Sequence, residues 1–282
     1  MAMKRIIAGS SSPHLARQLS DTLNVPLAET TVKRFPDGEL YVRVHEELDE
    51  AIIVQNTYPD GNIVELFLLQ DAARRMGADT IRVVVPYYGY GRQDQVFETG
   101  EAVSAAKLAD LIEQDADMVA TVDPHKEYIS EFFDIRAHVV TAVRELAEHL
   151  SGRADMVLAP DHGALQRAKH AAETINCPYD HLEKTRLSGD QVEMQPKKLD
   201  VAGSHVLIID DIISTGGTMA AAIRNLKKQG AAEVYAACSH GLFAAGAVDR
   251  IREAGCDDIV ATDTIESDFS QVSAAPPIAA LF

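Results

Sequence analysis

Eight short runs rich in Val, Ile and Leu recur along the chain with helix-length amphipathic stretches between them, and this alternation restricts the fold more than any other feature. The runs are KRIIA, AIIVQ, IRVVVPY, DMVATVD, ADMVLAP, HVLIID, EVYAACS and DIVATD. Between them IVELFLLQDAARRMGA, AVSAAKLADLIEQ, VRELAEHL, GALQRAKHAAET, TMAAAIRNLKKQG and AGAVDRIREAG carry apolar residues at helical spacing. Strands alternating with helices build parallel sheets covered on both faces, so the expected class is α/β, with mainly parallel sheets flanked by helices. Eight strands and six helices need two sheets or one unusually wide one. A chain of 282 residues with a hydrophobic fraction of 46% can fill two cores. Two domains are therefore expected, residues 1–140 and 141–272, because AHVVTAVRELAEHL reads as a strand leading into the first helix of a second unit. The ending SAAPPIAALF, residues 273–282, is apolar enough to dock back on the first domain.

A formal charge of −17 argues against duplex nucleic acid as a partner, since the phosphate backbone is held mainly by clustered Lys and Arg. Cys177, Cys238 and Cys256 show no metal-ligand spacing, and their odd number suits reduced thiols better than a disulfide framework. No apolar run is long enough to span a membrane, and the N-terminal MAMKRIIAGSSSPHL lacks the apolar core of a signal peptide. The expectation is a soluble cytoplasmic protein.

In open α/β sheets ligands sit beyond the carboxyl ends of strands, so residues that directly follow the apolar runs are the candidates for chemistry. In VLIIDDIISTGGT, residues 206–218, the pair Asp210-Asp211 suits adjacent sugar hydroxyls. Gly216 and Gly217 let the backbone approach a ligand, Ser214, Thr215 and Thr218 supply hydroxyl donors, and the helix that follows aims N–H groups at an anion. No Lys-Ser or Lys-Thr follows the glycines, so this is not a Walker loop. A bare Ser-Thr-Gly-Gly-Thr is equally a capped helix start, but two adjacent carboxylates repel unless cations or donors offset them, which shifts the reading toward a ligand.

Three other places stand out. KRFPDGELYVRV reads on its own as a hairpin turn, because Pro-Asp-Gly is strong turn chemistry. In VVVPYYGYGRQDQ, Arg92 and Gln93 follow a strand and a Gly-rich bend, which puts a bidentate phosphate donor near a sheet edge. In ATVDPHKEYISEFFDI, His125 follows a strand; a lone histidine is usually structural, but this position makes it a candidate phosphate or metal contact.

VLIIDDIISTGGT resembles the ribose-phosphate loop of the phosphoribosyltransferase-type fold. Together with FPDGE, YGRQD, VDPH, FFDI, APDHGALQRA, LEKTR and SHGLF, all in order, it is similar to the ribose-phosphate diphosphokinases, the synthetases of phosphoribosyl diphosphate (PRPP), over nearly the full chain. The resemblance implies two phosphoribosyltransferase-like domains and transfer of the diphosphoryl group of ATP to the C1 hydroxyl of ribose 5-phosphate, giving PRPP and AMP. It implies that Phe35, Asp37, Gly38 and Glu39 bind adenine, that Arg92 and Gln93 contact the ATP phosphates, and that His125 and Asp161 are magnesium-associated. Lys184 and Arg186, otherwise a solvated charge cluster, match the catalytic basic pair, and Asp210, Asp211 and residues 214–218 match the ribose 5-phosphate site. Mg²⁺ as cofactor and a homo-oligomer with sites shared between protomers are implied as well. After Arg92-Gln93-Asp94 the chain reads QVFETGEAVS, where many relatives carry basic residues. A phosphoribosyltransferase that consumes PRPP and a noncatalytic regulatory homologue are the alternatives. The acidic segment HEELDEA, residues 45–51, is expected to repel a regulatory phosphate.

Overall fold

The structure, a computed structural model, describes residues 3–182, 184–188, 191–194 and 199–282, with side chains described for 3–182 and 199–282. The chain divides into two compact units, one of Met1–Thr141, Thr264–Glu266 and Ser273–Phe282, the other of Ala142–Asp263 and Ser267–Val272.

In the first unit the elements run β1 (Lys4–Ala8), α1 (Pro13–Leu23), β2 (Thr30–Arg34), β3 (Leu40–Val44), β4 (Glu50–Val54), α2 (Gly61–Arg75), β5 (Thr80–Val85), α3 (Ser104–Ile112), β6 (Met118–Val122) and β7 (Arg136–Val140). Strands β1-β4-β5-β6-β7 form a wholly parallel five-stranded sheet, with Ile6 opposite Ile52, Ile53 opposite Val83 and Val84 opposite Ala120. Parallel strands covered on both faces must be apolar at successive positions, and Ala51, Ile52, Ile53 and Val54 are all fully buried. Strands β2 and β3 stand apart from that sheet as an antiparallel hairpin. Its Val32, Val42 and Val44 join the core with Leu66 and Leu69 of α2.

The second unit runs α4 (Val143–His149), β8 (Met156–Ala159), α5 (Leu165–Ile175), β9 (Tyr179–His181), β10 (Lys184–Ser188), β11 (Gln191–Met194), β12 (His205–Ile213), α6 (Gly217–Lys228), β13 (Glu233–Gly241), α7 (Ala247–Glu253), β14 (Asp258–Thr262) and β15 (Ser270–Val272). Its parallel sheet has six strands in the order β15-β14-β13-β12-β8-β9, and β10 and β11 form a separate antiparallel pair. Strand β12 alternates between two cores. Val206 and Ile208 pack with Ile223 and Leu226 of α6, while Leu207 and Ile209 pack with Leu146 of α4 and Ala168 of α5.

The closing helix α8 (Ala275–Ala279) belongs to the first unit. There Ser273 donates to the Gln18 side chain, and the Lys4 ammonium lies 5.6 Å from the Phe282 ring centroid.

Each of the eight expected strands and six expected helices is present, and the sheets are parallel as the alternation requires. Helix α1 was not expected, although its signals are legible: Leu15, Leu19 and Leu23 recur every fourth residue, Pro13 opens it, and Asn24 closes it in the left-handed region at φ 53°. Among the described residues no helix is long and apolar enough to cross a membrane.

Candidate active site

Strand β12 runs past the end of its hydrophobic stretch and carries Asp210 and Asp211 at the carboxyl side of the second unit's sheet. The Asp211 amide donates to Asp210 Oδ1 at 2.9 Å, which brings the first carboxylate back over the backbone of the second. Both face Arg167 of α5, whose Nη1 lies 3.7 Å from Asp210 Oδ1 and 3.8 Å from Asp211 Oδ1. One guanidinium does not neutralise two carboxylates. Burial, then the neighbouring Asp211 charge, hold the Asp210 carboxyl well above the usual carboxylate range; Arg167 opposes the shift and Asp161 adds to it. The site thus has excess acceptor capacity, which sugar hydroxyls or a hard cation would relieve.

The loop that follows is fixed by its neighbour after β13. Ile213 and Ser214 accept hydrogen bonds from the backbone of Phe243 at 3.0 Å and Ala244 at 2.9 Å, and Arg250 donates to the carbonyls of Thr215 and Ala245. Gly216 sits at φ +73°, and a Cβ there would meet the Ala247 carbonyl at 3.0 Å and its Cβ at 3.1 Å. Gly217, the first residue of α6, differs: a Cβ there would meet nothing nearer than Thr215 Oγ1 at 4.0 Å. So Gly216 is required by the loop's own path, whereas Gly217 leaves open space before the N-terminus of a twelve-residue helix. That is the room and the donor set a phosphate needs. Ser214 and Thr218 are half-buried and Thr215 is exposed around it.

Asp161 lies just past β8 and caps a short turn, its Oδ1 accepting from the Gly163 amide at 2.9 Å. The structure therefore brings Asp161, Asp210, Asp211, Arg167 and the loop 214–218 to one end of one sheet. Lys184 and Arg186 belong by backbone to β10, opposite Met194 and Val192, and their side chains lie outside the described residues.

In the first unit, Phe35, Asp37, Gly38 and Glu39 form the tip of the β2-β3 hairpin. The Phe35 amide donates to the Glu39 carbonyl at 2.8 Å, the Gly38 amide to the Phe35 carbonyl at 2.9 Å, and the Glu39 amide to Asp37 Oδ1 at 3.1 Å. Gly38 adopts φ +95°, and Arg34 Nη1 donates to its carbonyl at 2.7 Å. This network leaves Phe35 at 45% exposure, held edge-on by Tyr41 with ring centroids 5.8 Å apart.

Arg92 and Gln93 follow β5 through a bend in which Gly89 lies against Thr57, where a Cβ would come 2.6 Å from the Thr57 carbonyl, and Tyr90 adopts φ 64°. Arg92 is exposed. The Gln93 amide nitrogen donates to Glu101 Oε2 at 3.2 Å and to the Gln95 carbonyl at 3.4 Å. With its amide hydrogens so engaged, the Gln93 side chain has its oxygen as the end that can meet a further group. His125 is exposed two residues after Asp123, a buried residue at φ 37°.

Among the described residues no three His, Cys, Asp or Glu side chains gather closely enough to hold an ion. His125 belongs to the first unit, and Asp161 to the second, where it shares a sheet end with Asp210 and Asp211. Carboxylate oxygens are the hard donors that magnesium takes, one or two from the protein with water and phosphate oxygens completing its shell. The sequence reading passed over Arg167 and Arg250. Arg167 was detectable, because it falls three residues after Ala164 and four before Ala171, on the face of α5 that is otherwise buried alanine.

Comparison with known proteins extends the argument to the whole chain. Residues 4–115 match the N-terminal domain of ribose phosphate pyrophosphokinase, and residues 129–275 match the phosphoribosyl transferase domain. The ribose-phosphate pyrophosphokinase of Methanopyrus kandleri is 43% identical over 281 residues, covering 97% of each chain, and that of Pyrococcus furiosus is 41% identical, covering 97% of this chain and 98% of its own. The crystal structure of phosphoribosylpyrophosphate synthetase from Mycobacterium smegmatis superposes with a TM-score of 0.85 at 29% identity, covering 99% of this chain and 97% of that one. Two family models that together cover most of the chain, and identity above 40% over 97% of it, place the chain in the ribose-phosphate pyrophosphokinase family.

Proposed function

We infer that the chain transfers the diphosphoryl group of ATP to the C1 hydroxyl of ribose 5-phosphate. The C1 oxygen attacks the β-phosphorus, the bond from that phosphorus to the α,β-bridging oxygen breaks, the hydroxyl proton is released, and AMP leaves with the bridging oxygen. The observation that carries this reading is that similarity covers both units at over 40% identity: transfer of the phosphoribosyl group from PRPP to a base, with release of diphosphate, needs only a domain of the second kind, and the first unit has no place in it.

In the proposed arrangement the 5-phosphate sits against the start of α6, in the space before Gly217, with Ser214, Thr215 and Thr218 as hydroxyl donors. Asp210 and Asp211 accept hydrogen bonds from the ribose hydroxyls, with Arg167 holding the pair in place. Phe35 stacks on adenine, and Asp37 and Glu39 meet its polar edge. Arg92 donates to phosphate oxygens. Lys184 and Arg186 oppose charge that grows on the transferred group and on AMP. Such positioning turns the meeting of two anions into an effectively intramolecular displacement. His125 and Asp161 would hold Mg²⁺, which would supply charge neutralisation for the phosphates. The protein works in the cytoplasm as a homo-oligomer in which the exposed tip of one protomer's hairpin completes a neighbour's ATP site.

A coupled assay tests the reaction. AMP formation from ATP that depends on ribose 5-phosphate is the expected result. Diphosphate release that depends on a nucleobase would instead reveal base transfer, and neither product would leave a noncatalytic partner role.

A further inference from the structure

Glu101 stands three residues before α3, within the stretch QVFETGEAVS, and carries none of the site assignments made above. A solvated acid on a loop is usually without a role, yet one of its oxygens does three things. Oε2 accepts from the Phe97 amide at 2.8 Å, from the Glu98 amide at 2.9 Å and from Gln93 Nε2 at 3.2 Å. The Glu101 amide returns a bond to the Glu98 carbonyl at 3.2 Å, so the turn is closed from both sides. The Glu98 and Phe97 amides hold its carboxyl below the usual carboxylate range, which keeps it ionised and strengthens each bond it accepts.

Gln93 is itself held by its main chain: its amide donates to the Tyr90 carbonyl at 3.0 Å and its carbonyl accepts from the Ala105 amide of α3 at 3.1 Å. A fixed backbone leaves the side chain one freedom that matters, which end of the amide turns outward. Glu101 and the Gln95 carbonyl, both acceptors, draw the nitrogen inward.

We propose that Glu101 is a positioning residue for nucleotide binding: it turns the Gln93 amide so that the carbonyl oxygen faces the nucleotide and accepts a hydrogen bond from a donor group there. Phosphate oxygens, which only accept, fall to Arg92. The proposal rests on the assignment of Gln93 to the ATP site, and it moves the Gln93 contact from the phosphate oxygens expected from the resemblance to a donor group of the nucleotide. Because the three bonds meet on a single oxygen, Glu101→Gln can keep them with its amide oxygen, whereas Glu101→Ala removes them all.

The test is ATP affinity by calorimetry on the full chain, together with kinetics in ATP and ribose 5-phosphate and amide hydrogen exchange. Glu101→Ala is expected to weaken ATP about fivefold, the loss of one hydrogen bond, and to leave ribose 5-phosphate unaffected. Glu101→Gln should retain the parent affinity. In a Gln93→Ala background the same Glu101→Ala change should have no further effect, which a general loosening of the loop would not produce. Exchange at the Phe97 and Glu98 amides should quicken in Glu101→Ala and not in Glu101→Gln. Parental ATP affinity in Glu101→Ala despite faster exchange, or losses that multiply in the double variant, would overturn the positioning role while Gln93 keeps its place. Unchanged ATP affinity in Gln93→Ala alone would remove Gln93 from the site, and the proposal with it.

Discussion

At the scale of single residues, the two adjacent glycines of the loop 214–218 stand in different surroundings. Gly216 is held at φ +73° against the Ala247 carbonyl, so Gly216→Ala adds backbone strain and a close contact and is expected to cost about 1–3 kcal/mol of stability. Gly217→Ala meets open space and should leave the thermal midpoint near the parent value while weakening ribose 5-phosphate, because the methyl group occupies the volume assigned to the phosphate. Thermal denaturation and calorimetry on the pair decide it; equal loss of stability in both would mean that Gly217 is also structural. Sequence reading gave both glycines the same task, close approach of the backbone to a ligand, since a Gly-Gly pair does not display which member carries positive φ. Asp210 carries a second prediction. Its raised pKa means that the folded chain keeps a proton which the unfolded chain, with an ordinary value near 3.8, gives up. Its contribution to stability is therefore most favourable at acid pH and declines as pH rises from about 4 through the folded value. Asp210→Asn should be more stable than the parent near neutrality and should flatten that decline, as read by urea unfolding across pH in a chelator. An unchanged pH slope would mean that the pair is already fully ionised in the free protein.

Among elements, the β2-β3 hairpin shows how a stable unit can present an unstable-looking tip. One face of the ribbon, through Val32, Val42 and Val44, is anchored in the core, and the tip is closed by its own backbone bonds. The Phe35 ring takes part in neither, since the residue closes the tip through its backbone alone. Phe35→Ala is expected to leave the thermal midpoint unchanged and to raise the KM for ATP several-fold, as loss of a stacking surface does. Gly38→Val, by contrast, forces a branched side chain to φ +95° and should unpin the whole tip. Steady-state kinetics with circular dichroism separates the two, and a Phe35→Ala variant with parental ATP kinetics would leave the exposed ring unexplained by adenine. The segment HEELDEA looks from composition like a patch that repels phosphate. In the fold, Glu46 meets Arg5 at 2.8 Å, Glu50 meets Arg82 at 2.7 Å, and Asp49 accepts from the Met3 amide at 2.6 Å. Most of that charge holds β1 and β5 to the start of β4, so the expected repulsion loses its basis.

For the molecule as a whole, the proposed function assigns nucleotide contacts to Phe35 and Arg92 of one unit, and ribose-phosphate and transfer contacts to Asp210, Asp211 and Lys184 of the other. If a neighbouring protomer supplies the hairpin tip, Phe35→Ala and Lys184→Ala damage different halves of a shared site. Mixing the two inactive chains under conditions that exchange subunits should then restore a fraction of activity, because some pairings join an intact tip to an intact basic residue. Co-assembly verified by mass with no recovered turnover would show that each chain carries a complete site of its own. Lys184→Ala alone should lower kcat with little change in the KM for ribose 5-phosphate, the mark of a group that acts on charge formed during transfer.

What the sequence determined by itself is whatever depends on period and order. Runs such as AIIV and HVLII, alternating with helix-length stretches of 3.6-residue periodicity, fit a parallel sheet covered on both faces, and Pro-Asp-Gly between the strands around residue 37 favours a turn. The acid pair and the glycine loop were legible because both lie in one continuous stretch at a strand end. Tertiary structure decided what depends on approach between distant segments. Arg167 faces Asp210 across a gap of forty-three positions, Arg250 reaches the carbonyl of Thr215, and Glu101 reaches back to Gln93. No local pattern encodes these meetings, because a charged side chain looks the same in sequence whether it is solvated or turned inward; only the packed chain fixes which carboxylate it meets.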